Sequence, residues 1–241
     1  MATVASASPP EATTSLTRRY DMSGLVALAY RPVLRWAGRR GLRGRSRSAG
    51  RPEAGRFTQT DVDQLLARTW QLYDGLRPGV PRVRGIGPQM NVYLAAITLA
   101  FQRALVERGT EPQRARALTS DCVWVVYAKW AQLARFVARR RSHDPGERLR
   151  IGIDSFLRFP FSQPGYRWQR ASPQPGTETI EVQRCPVADY LRAQNAADLC
   201  IDTWCNQDFA LAEAWGGELR RTQTIAGGAS HCDFCFVARA G

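Results

Sequence analysis

The residues best suited to covalent chemistry lie together near the C-terminus of the chain. His231, Cys232, Asp233 and Cys235 fall within five positions, and His231 is one of only two histidines. A thiolate can attack an electrophilic carbon, and a carboxylate can carry the proton that the thiol gives up. This segment is therefore the first candidate for a functional site.

The pattern around these residues predicts a hairpin of two short strands, Thr222–Ile225 and Phe234–Val237. Both segments are rich in residues that favour extended backbone. Gly227-Gly228 supplies the positive φ angles that a tight turn needs. With these two glycines as the loop, Thr222 would lie opposite Asp233, and a loop one residue longer or shorter would reverse that pairing.

Cys185 is a second candidate, because it lies at a predicted junction between a strand and a helix that begins at Pro186. Backbone N–H groups and the helix dipole at such a position lower the pKa of a thiol. The sequence thus predicts an accessible thiolate at Cys185. The alternative is that Cys185 is a small apolar residue buried at a turn.

Asp208 is a third candidate, on a helix predicted over residues 197–215. One face of that helix carries Ile201, Cys205, Asp208 and Ala212, and an adjacent face carries Cys200, Trp204, Leu211 and Trp215. A carboxylate among apolar side chains must find hydrogen-bond donors or shift its pKa. Asp208 therefore either binds backbone N–H groups or an arginine such as Arg220 or Arg221, or acts as a general base or as an anchor for a cationic group.

A zinc site is the alternative interpretation of His231-Cys232-x-x-Cys235, with Cys185 or Cys205 as a further ligand. Residues three apart in an extended strand point to opposite faces, so Cys232 and Cys235 would converge only at a bulge. We therefore predict neither a metal nor a cofactor.

The remaining pattern predicts helices first and then strands mixed with short helices. Apolar helices are expected from Thr60 or Asp61, from Met90 to Glu107 with Gly109 as its stop, and from Pro112 onwards. Strands follow at 166–170 and 178–184. This order indicates an α+β fold: an N-terminal helical layer, then a small antiparallel sheet with helices packed on it, in a single domain.

The helix that begins at Pro112 carries a long apolar stripe. Its members recur at helical spacing: Cys122, Val125, Val126, Lys129, Trp130, Leu133, Phe136 and Val137. Such a stripe predicts one continuous buried face, with Cys122 as a core thiol.

The formal net charge of +13 comes mainly from the N-terminal part of the chain. Residues 1–56 hold eleven arginines and three acidic residues, and we predict a basic extension there, disordered over 1–20, with a short amphipathic helix around Leu25–Trp36. The α+β domain would then span 57–241. That distribution predicts a core that does not bind nucleic acid, although a tail that touches a membrane surface or an acidic partner is the alternative.

The six cysteines bear on the cellular compartment. The chain carries no convincing export signal, and no stretch approaches the 18 to 20 apolar residues of a membrane span. We therefore predict free thiols, a cytoplasmic location and no integral membrane association.

Four spaced blocks stand out together: Cys185-Pro186-x-x-x-Tyr190, then Trp204-Cys205-x-x-Asp208 with Ala212-Glu213, then Arg221-Thr222-x-Thr224-Ile225-x-x-Gly228, and Cys232-Asp233-Phe234-x-Phe236. As an ensemble they resemble the L-2-amino-thiazoline-4-carboxylic acid hydrolase family. The resemblance covers residues 185–236, and the helices from 87 to 140 match it more loosely. Cys235 departs from the family pattern, which usually has a charged or polar residue there.

The resemblance implies a small-molecule hydrolase that adds water to an amidine-like ring carbon and opens a thiazoline ring. Cys232 or Cys185 would attack or hold the C=N carbon, and Asp208 or Asp233 would move protons or bind the substrate amine. Binding of the substrate would fall to Thr222, Thr224, Arg221 and His231. The implied role is a tailoring enzyme of natural-product biosynthesis, and the alternative is a sensor-like module that binds a small molecule without catalysis.

Overall fold

The computed structural model describes residues 22–43, 56–171 and 174–239. Its N-terminal half is helical: α1 (Met22–Leu42), α2 (Gln59–Leu76), α3 (Ile86–Glu107), α4 (Pro112–Arg141) and α5 (Pro145–Arg158). A 3-10 turn, Arg77–Gly79, follows α2. The second half contains β1 (Arg167–Arg170), β2 (Thr177–Arg184), α6 (Pro186–Ala193), α7 (Ala197–Cys200), a π-helical turn (Ile201–Cys205), α8 (Gln207–Ala214), β3 (Gly217–Arg220) and β4 (Cys232–Ala238).

The strands form one antiparallel sheet in the order β1-β2-β4-β3. In its centre Ile180 of β2 pairs with Phe234 of β4, and Val182 pairs with Cys232. This architecture, helices first and then a small antiparallel sheet with helices against it, confirms the predicted α+β class.

The helix boundaries follow the local signals closely. Gly109, with φ of 91°, lies just beyond the end of α3, and Pro112 begins α4, as predicted. The helix α2 starts earlier than predicted because Thr58 and Asp61 form a capping box. The Asp61 N–H donates to Thr58 Oγ1 at 3.2 Å, and the Thr58 N–H donates to Asp61 Oδ2 at 2.7 Å.

Helix α1 lies within the region that the sequence assigned to the basic extension, and it packs on the rest of the protein. Leu34, Ala37 and Leu42 are buried there, and the helix runs against α4. Residues 1–21 and 44–55, with the predicted disordered tail, lie outside the described residues, and the division of the chain at residue 57 stays a prediction. Among the described helices, none has both the length and the apolar character needed to cross a membrane.

The predicted stripe on α4 is only half buried. Cys122 and Val125 are in the core, but Trp130, Leu133 and Phe136 are 54, 56 and 55% exposed, so the prediction of one continuous buried face is wrong. The face that meets α5 and α8 instead carries small side chains: Ala131, Ala134 and Ala138. Alanines let neighbouring helices approach closely, and this close packing turns the larger apolar side chains outward.

Gly152 of α5 offers a test of how tightly the second half is packed. A Cβ atom at Gly152 would lie 2.8 Å from Cγ and Cδ2 of the buried Trp215 indole, so Gly152→Ala is expected to destabilise the protein by about 1–3 kcal/mol. The matched control is Gly75→Ala in α2, where a Cβ meets no described atom within 4 Å and helix propensity favours alanine by up to about 1 kcal/mol. Denaturant unfolding of both variants measures the difference, and equal midpoints would contradict the packing.

Candidate functional site

A cavity of about 130 Å³, here called the inner cavity, lies between the sheet and the helices. On the sheet side it is lined by alternate residues of the two central strands: Ile180, Val182, Cys232, Phe234 and Phe236. On the helical side it is lined by Tyr127, Ile153, Phe156, Leu211 and Trp215. A cavity of about 150 Å³ holds one benzene molecule, so the inner cavity suits a single small ring.

The structure brings three of the candidate residues to this cavity from three different elements. Cys185 is the N-cap residue of α6, Asp208 lies in the first turn of α8, and Cys232 is the first residue of β4. All three line the inner cavity. Residues that span nearly fifty positions of the sequence therefore line one cavity.

The π-helical turn explains how the wall formed by α7 and α8 is assembled. The sequence predicted one regular helix over 197–215, but the N–H of Asn206 bonds to the carbonyl of Ile201, five residues back, at 2.9 Å. The extra residue in this turn shifts the residues that follow it by one position relative to the regular 3.6-residue period. Residues predicted on two adjacent faces consequently line the same cavity: Cys200, Trp204, Cys205, Asp208, Leu211 and Trp215.

Three thiols that line the cavity, those of Cys185, Cys200 and Cys232, are protonated at neutral pH. Burial raises the pKa of Cys232 to about 11, although the Ile225 N–H bonds its Sγ at 3.3 Å. Burial also raises the pKa of Cys185, even though its Sγ accepts the Ala188 N–H at 3.5 Å. The predicted lowering of the Cys185 pKa is wrong, because removal of the thiolate from water outweighs the helix N-terminus. The pKa of Cys200 is raised by its hydrogen bond with Cys205 and by burial.

Asp208 forms the charged pair of the site with Arg221. Arg221 Nη1 lies 3.1 Å from Asp208 Oδ2 and donates to the Cys205 carbonyl at 2.9 Å, and its side chain is only 5% exposed. Burial raises the pKa of Asp208 to about 7, with Arg221 acting in the opposite direction. Asp208 thus binds an arginine and is also a carboxyl group that can take up and release a proton near neutral pH.

The chain between β3 and β4 is not the predicted two-glycine hairpin. The strand β3 ends at Arg220, which lies opposite Cys235, and the connection runs from 221 to 231. Ile225 and Ala226 bury their side chains in the core, so this segment leaves the sheet instead of pairing along it. The turn itself ends at Gly228, with φ of 98°.

The other predicted site residues stabilise this connection and do not line the inner cavity. The Asp233 carboxylate accepts hydrogen bonds from the Thr222 N–H, the Thr222 hydroxyl and the Gln223 N–H, at 3.1, 2.6 and 2.9 Å. Thr224 Oγ1 accepts the Gly227 N–H at 3.0 Å. His231 lies 2.7 Å from Gln223 Nε2 and 3.1 Å from the Ser230 hydroxyl.

We expect Asp233→Ala to loosen residues 221–231 without removing the cavity. Burial raises the pKa of Asp233, but the hydrogen bonds from Thr222 and Gln223 outweigh it and lower the pKa overall. These bonds therefore stabilise the fold above the ordinary carboxyl pKa, and the stabilisation is lost as the pH falls. Hydrogen exchange should become faster at 221–231, whereas Glu218→Ala, on an exposed neighbouring position, should leave it unchanged. Equal exchange in both variants would contradict this role.

A metal site finds no support in the geometry of the described ranges, where no three His, Cys, Asp or Glu side chains are grouped to hold an ion. Cys232 lines the cavity and Cys235 does not, as expected for opposite faces of a strand.

The fold and the site together define an α+β domain with a mainly apolar cavity that is lined by thiols and one carboxyl group among the described residues. A family model described as L-2-amino-thiazoline-4-carboxylic acid hydrolase matches residues 90–236, and the chain belongs to this family. The match includes Cys185, Asp208 and Cys232 and supports a hydrolase-like function at the level of the family. No curated protein and no solved structure matches the chain.

Proposed function

We propose that the protein is a hydrolase that opens a small heterocycle at a carbon bonded to nitrogen and sulfur. The observation that carries the proposal is the convergence of Cys185, Asp208 and Cys232 on one ring-sized cavity. Membership of the family adds support for hydrolysis. A role as a tailoring enzyme in natural-product biosynthesis and a cytoplasmic location belong to the same proposal.

Cys232 is the proposed nucleophile, and Asp208 is the proposed base. Among the cavity thiols whose pKa is raised, that of Cys232 stays lowest, at about 11, and Asp208 contributes to its shift. The near-neutral pKa of Asp208 suits the transfer of a proton at physiological pH. Cys185 is the second candidate nucleophile, since it lines the same cavity.

The first half of the proposed reaction forms a covalent intermediate. Cys232 Sγ bonds to the C=N carbon while its proton passes to Asp208, and Asp208 gives that proton to the ring nitrogen. The ring carbon–sulfur bond then breaks as the nitrogen lone pair forms a new C=N bond. The departing sulfur takes the proton from that nitrogen and becomes a thiol.

The second half hydrolyses this intermediate. Asp208 takes a proton from a water molecule whose oxygen bonds to the same carbon, and it gives that proton to the nitrogen as the C=N bond becomes a single bond. The bond from that carbon to Cys232 then breaks as the hydroxyl oxygen forms a carbonyl group, and the hydroxyl proton passes through Asp208 to the Cys232 sulfur. The net change is the addition of one water molecule and the opening of the ring.

A binding module without catalysis is the second candidate function. The observation that favours it is the burial of the cavity thiols, which raises the pKa of Cys185, Cys200 and Cys232 and keeps them in the unreactive thiol form. A cavity of this kind can retain an apolar ring without attacking it.

Incubation with a panel of 2-amino-thiazolines in ¹⁸O-labelled water tests the two functions. A hydrolase should release ring-opened products that carry one ¹⁸O atom, and mass spectrometry of the quenched protein should find the covalent intermediate on Cys232. Binding of the ring compounds without any product would contradict hydrolysis of these rings and favour the binding module.

A further inference from the structure

A second cavity, of about 440 Å³, lies on the other side of the inner cavity's helical wall, and we call it the outer groove. It runs between α1, α3, α4 and the end of α5, and it is lined mainly by apolar side chains, among them Leu25, Val33, Leu94, Val126 and Phe159. The outer groove is therefore larger than the inner cavity and equally suited to apolar material.

The two cavities share part of their lining. Four aromatic residues belong to both: Tyr127, Phe156, Phe161 and Trp204. Phe156 stacks on Phe161 at 5.9 Å between ring centroids, and Tyr127 meets Trp204 edge to face at 6.1 Å. A layer one side chain thick thus separates the two spaces, and rotation of an aromatic ring would join them.

Trp204 adds a polar group at this boundary. The residue is only 8% exposed, and its indole Nε1 is buried and has no hydrogen-bond partner among the described residues. A buried donor left without a partner costs about 1–3 kcal/mol. A small rotation of the indole ring would bring this N–H to an acceptor atom on a ligand that spans both spaces.

The charges of the inner cavity restrict the ligand further. Among the described residues that line it, Asp208 is the one acidic residue, and none is an arginine, lysine or histidine. Arg221 stands behind Asp208 and is already bound to it. A substrate carboxylate would therefore be buried without a cation of its own, at a high cost in free energy.

We propose that the inner cavity and the outer groove form one substrate site, for a heterocycle that carries an apolar substituent and no carboxylate. The ring occupies the inner cavity beside Cys232 and Asp208, the substituent occupies the outer groove, and the Trp204 indole N–H donates to an acceptor at the junction. This inference rests on the proposed function for the location of the ring and adds the class of substrate.

Chain-length dependence of binding provides the main test. Calorimetry would measure the affinity of 2-amino-thiazoline and of derivatives with linear alkyl chains of two, four and six carbons. Each added methylene should raise the affinity of the native protein about fourfold while the groove fills, which corresponds to about 0.8 kcal/mol per methylene. An affinity that does not change with chain length would overturn the proposal.

Two tryptophan substitutions on α4 separate the groove from the rest of the surface. Val126→Trp fills the outer groove, so it should abolish the gain from longer chains and leave the affinity of the bare ring unchanged. Leu133→Trp makes a similar change at an exposed position that lines neither cavity, and it should keep the native chain-length dependence. If affinity depended on chain length in the same way in both variants, the outer groove would not be the site of the substituent.

A matched pair of probes tests the indole donor. A derivative whose chain is joined through a carbonyl should bind the native protein about tenfold more tightly than its methylene-linked analogue. In Trp204→Phe that preference should vanish, and its persistence would overturn the role of the indole. If affinity rises with chain length but no ring opens, the hydrolase proposal fails and the two-part site stands. If rings open but chain length has no effect on affinity, the hydrolase proposal stands and the two-part site fails.

Discussion

Cys232→Ala is expected to lower turnover at least about a thousandfold while the protein stays folded. The Cys232 sulfur lines the inner cavity and has the lowest pKa among the cavity thiols whose pKa is raised, so its loss removes the proposed covalent step. Alanine at this buried position removes one sulfur atom, a small change in core volume. Single-turnover kinetics with a ring-opening substrate, together with a thermal melt, measure both effects.

Two further cysteine variants serve as controls for this prediction. Cys185→Ala makes the same chemical change in the wall of the same cavity, and Cys235→Ala makes it on the strand of Cys232 but outside the cavity. Both variants should retain turnover within about tenfold of the native protein, because neither side chain takes part in the bonds that form and break in the proposed reaction. Full turnover in Cys232→Ala with a large loss in Cys185→Ala would transfer the nucleophilic role to Cys185.

Asp208→Asn is expected to lower turnover by about 10²- to 10⁴-fold, because the amide cannot accept the thiol proton. In the native protein, kcat/KM should rise as the pH rises through about 7, the pKa of Asp208, since the carboxylate is the active form. Arg221 stabilises that carboxylate, so Arg221→Gln should move the rise to higher pH. Arg220→Gln, at an exposed neighbour paired with Glu218, should leave the profile unchanged.

The contribution of Asp208 to the free energy of unfolding should fall as the pH rises, whereas kcat/KM should rise. The pKa of Asp208 is raised from 3.8 to about 7, so between these values the folded protein holds a proton that the unfolded chain has released. The free energy of unfolding contributed by this group therefore falls as the pH rises through that window. Asp208→Asn should be more stable relative to the native protein at pH 8 than at pH 4, as measured by urea unfolding. A pH-independent difference would contradict a half-buried Asp208 that titrates near neutral pH.

Local signals were sufficient to predict much of the fold. Gly109 and Pro112 mark helix ends through backbone geometry that only their immediate neighbours decide, and Pro186 begins α6 for the same reason. The exposed half of the α4 stripe could not be predicted in this way. Which face of a helix is buried depends on the partners that pack against it, and the alanines that meet α5 and α8 carry too weak an apolar signal to compete with Trp130 and Phe136.

The sequence singled out three residues that line the inner cavity, whose catalytic roles stay predictions, but it did not predict the rest of the cavity wall. Cys185, Asp208 and Cys232 stand out because thiols and carboxylates are rare among apolar neighbours, whereas Trp204 and Cys200 were placed on an adjacent helix face by the regular 3.6-residue period. The roles of Thr222, Thr224, Asp233 and His231 in substrate binding or catalysis stay predictions. Their contacts in the 221–231 connection depend on a loop length that two glycines do not fix.

The five-residue hydrogen bond at Asn206 has a consequence for how this pocket could arise and be lost. Each residue of a regular helix advances the chain by about 100°, and the wider turn absorbs one extra residue, so deletion of one residue between 201 and 205 would restore uniform winding. The shortened helix would gain ordinary backbone hydrogen bonds, and a deletion that removed Trp204 or Cys205 would also take a side chain out of the wall of the inner cavity.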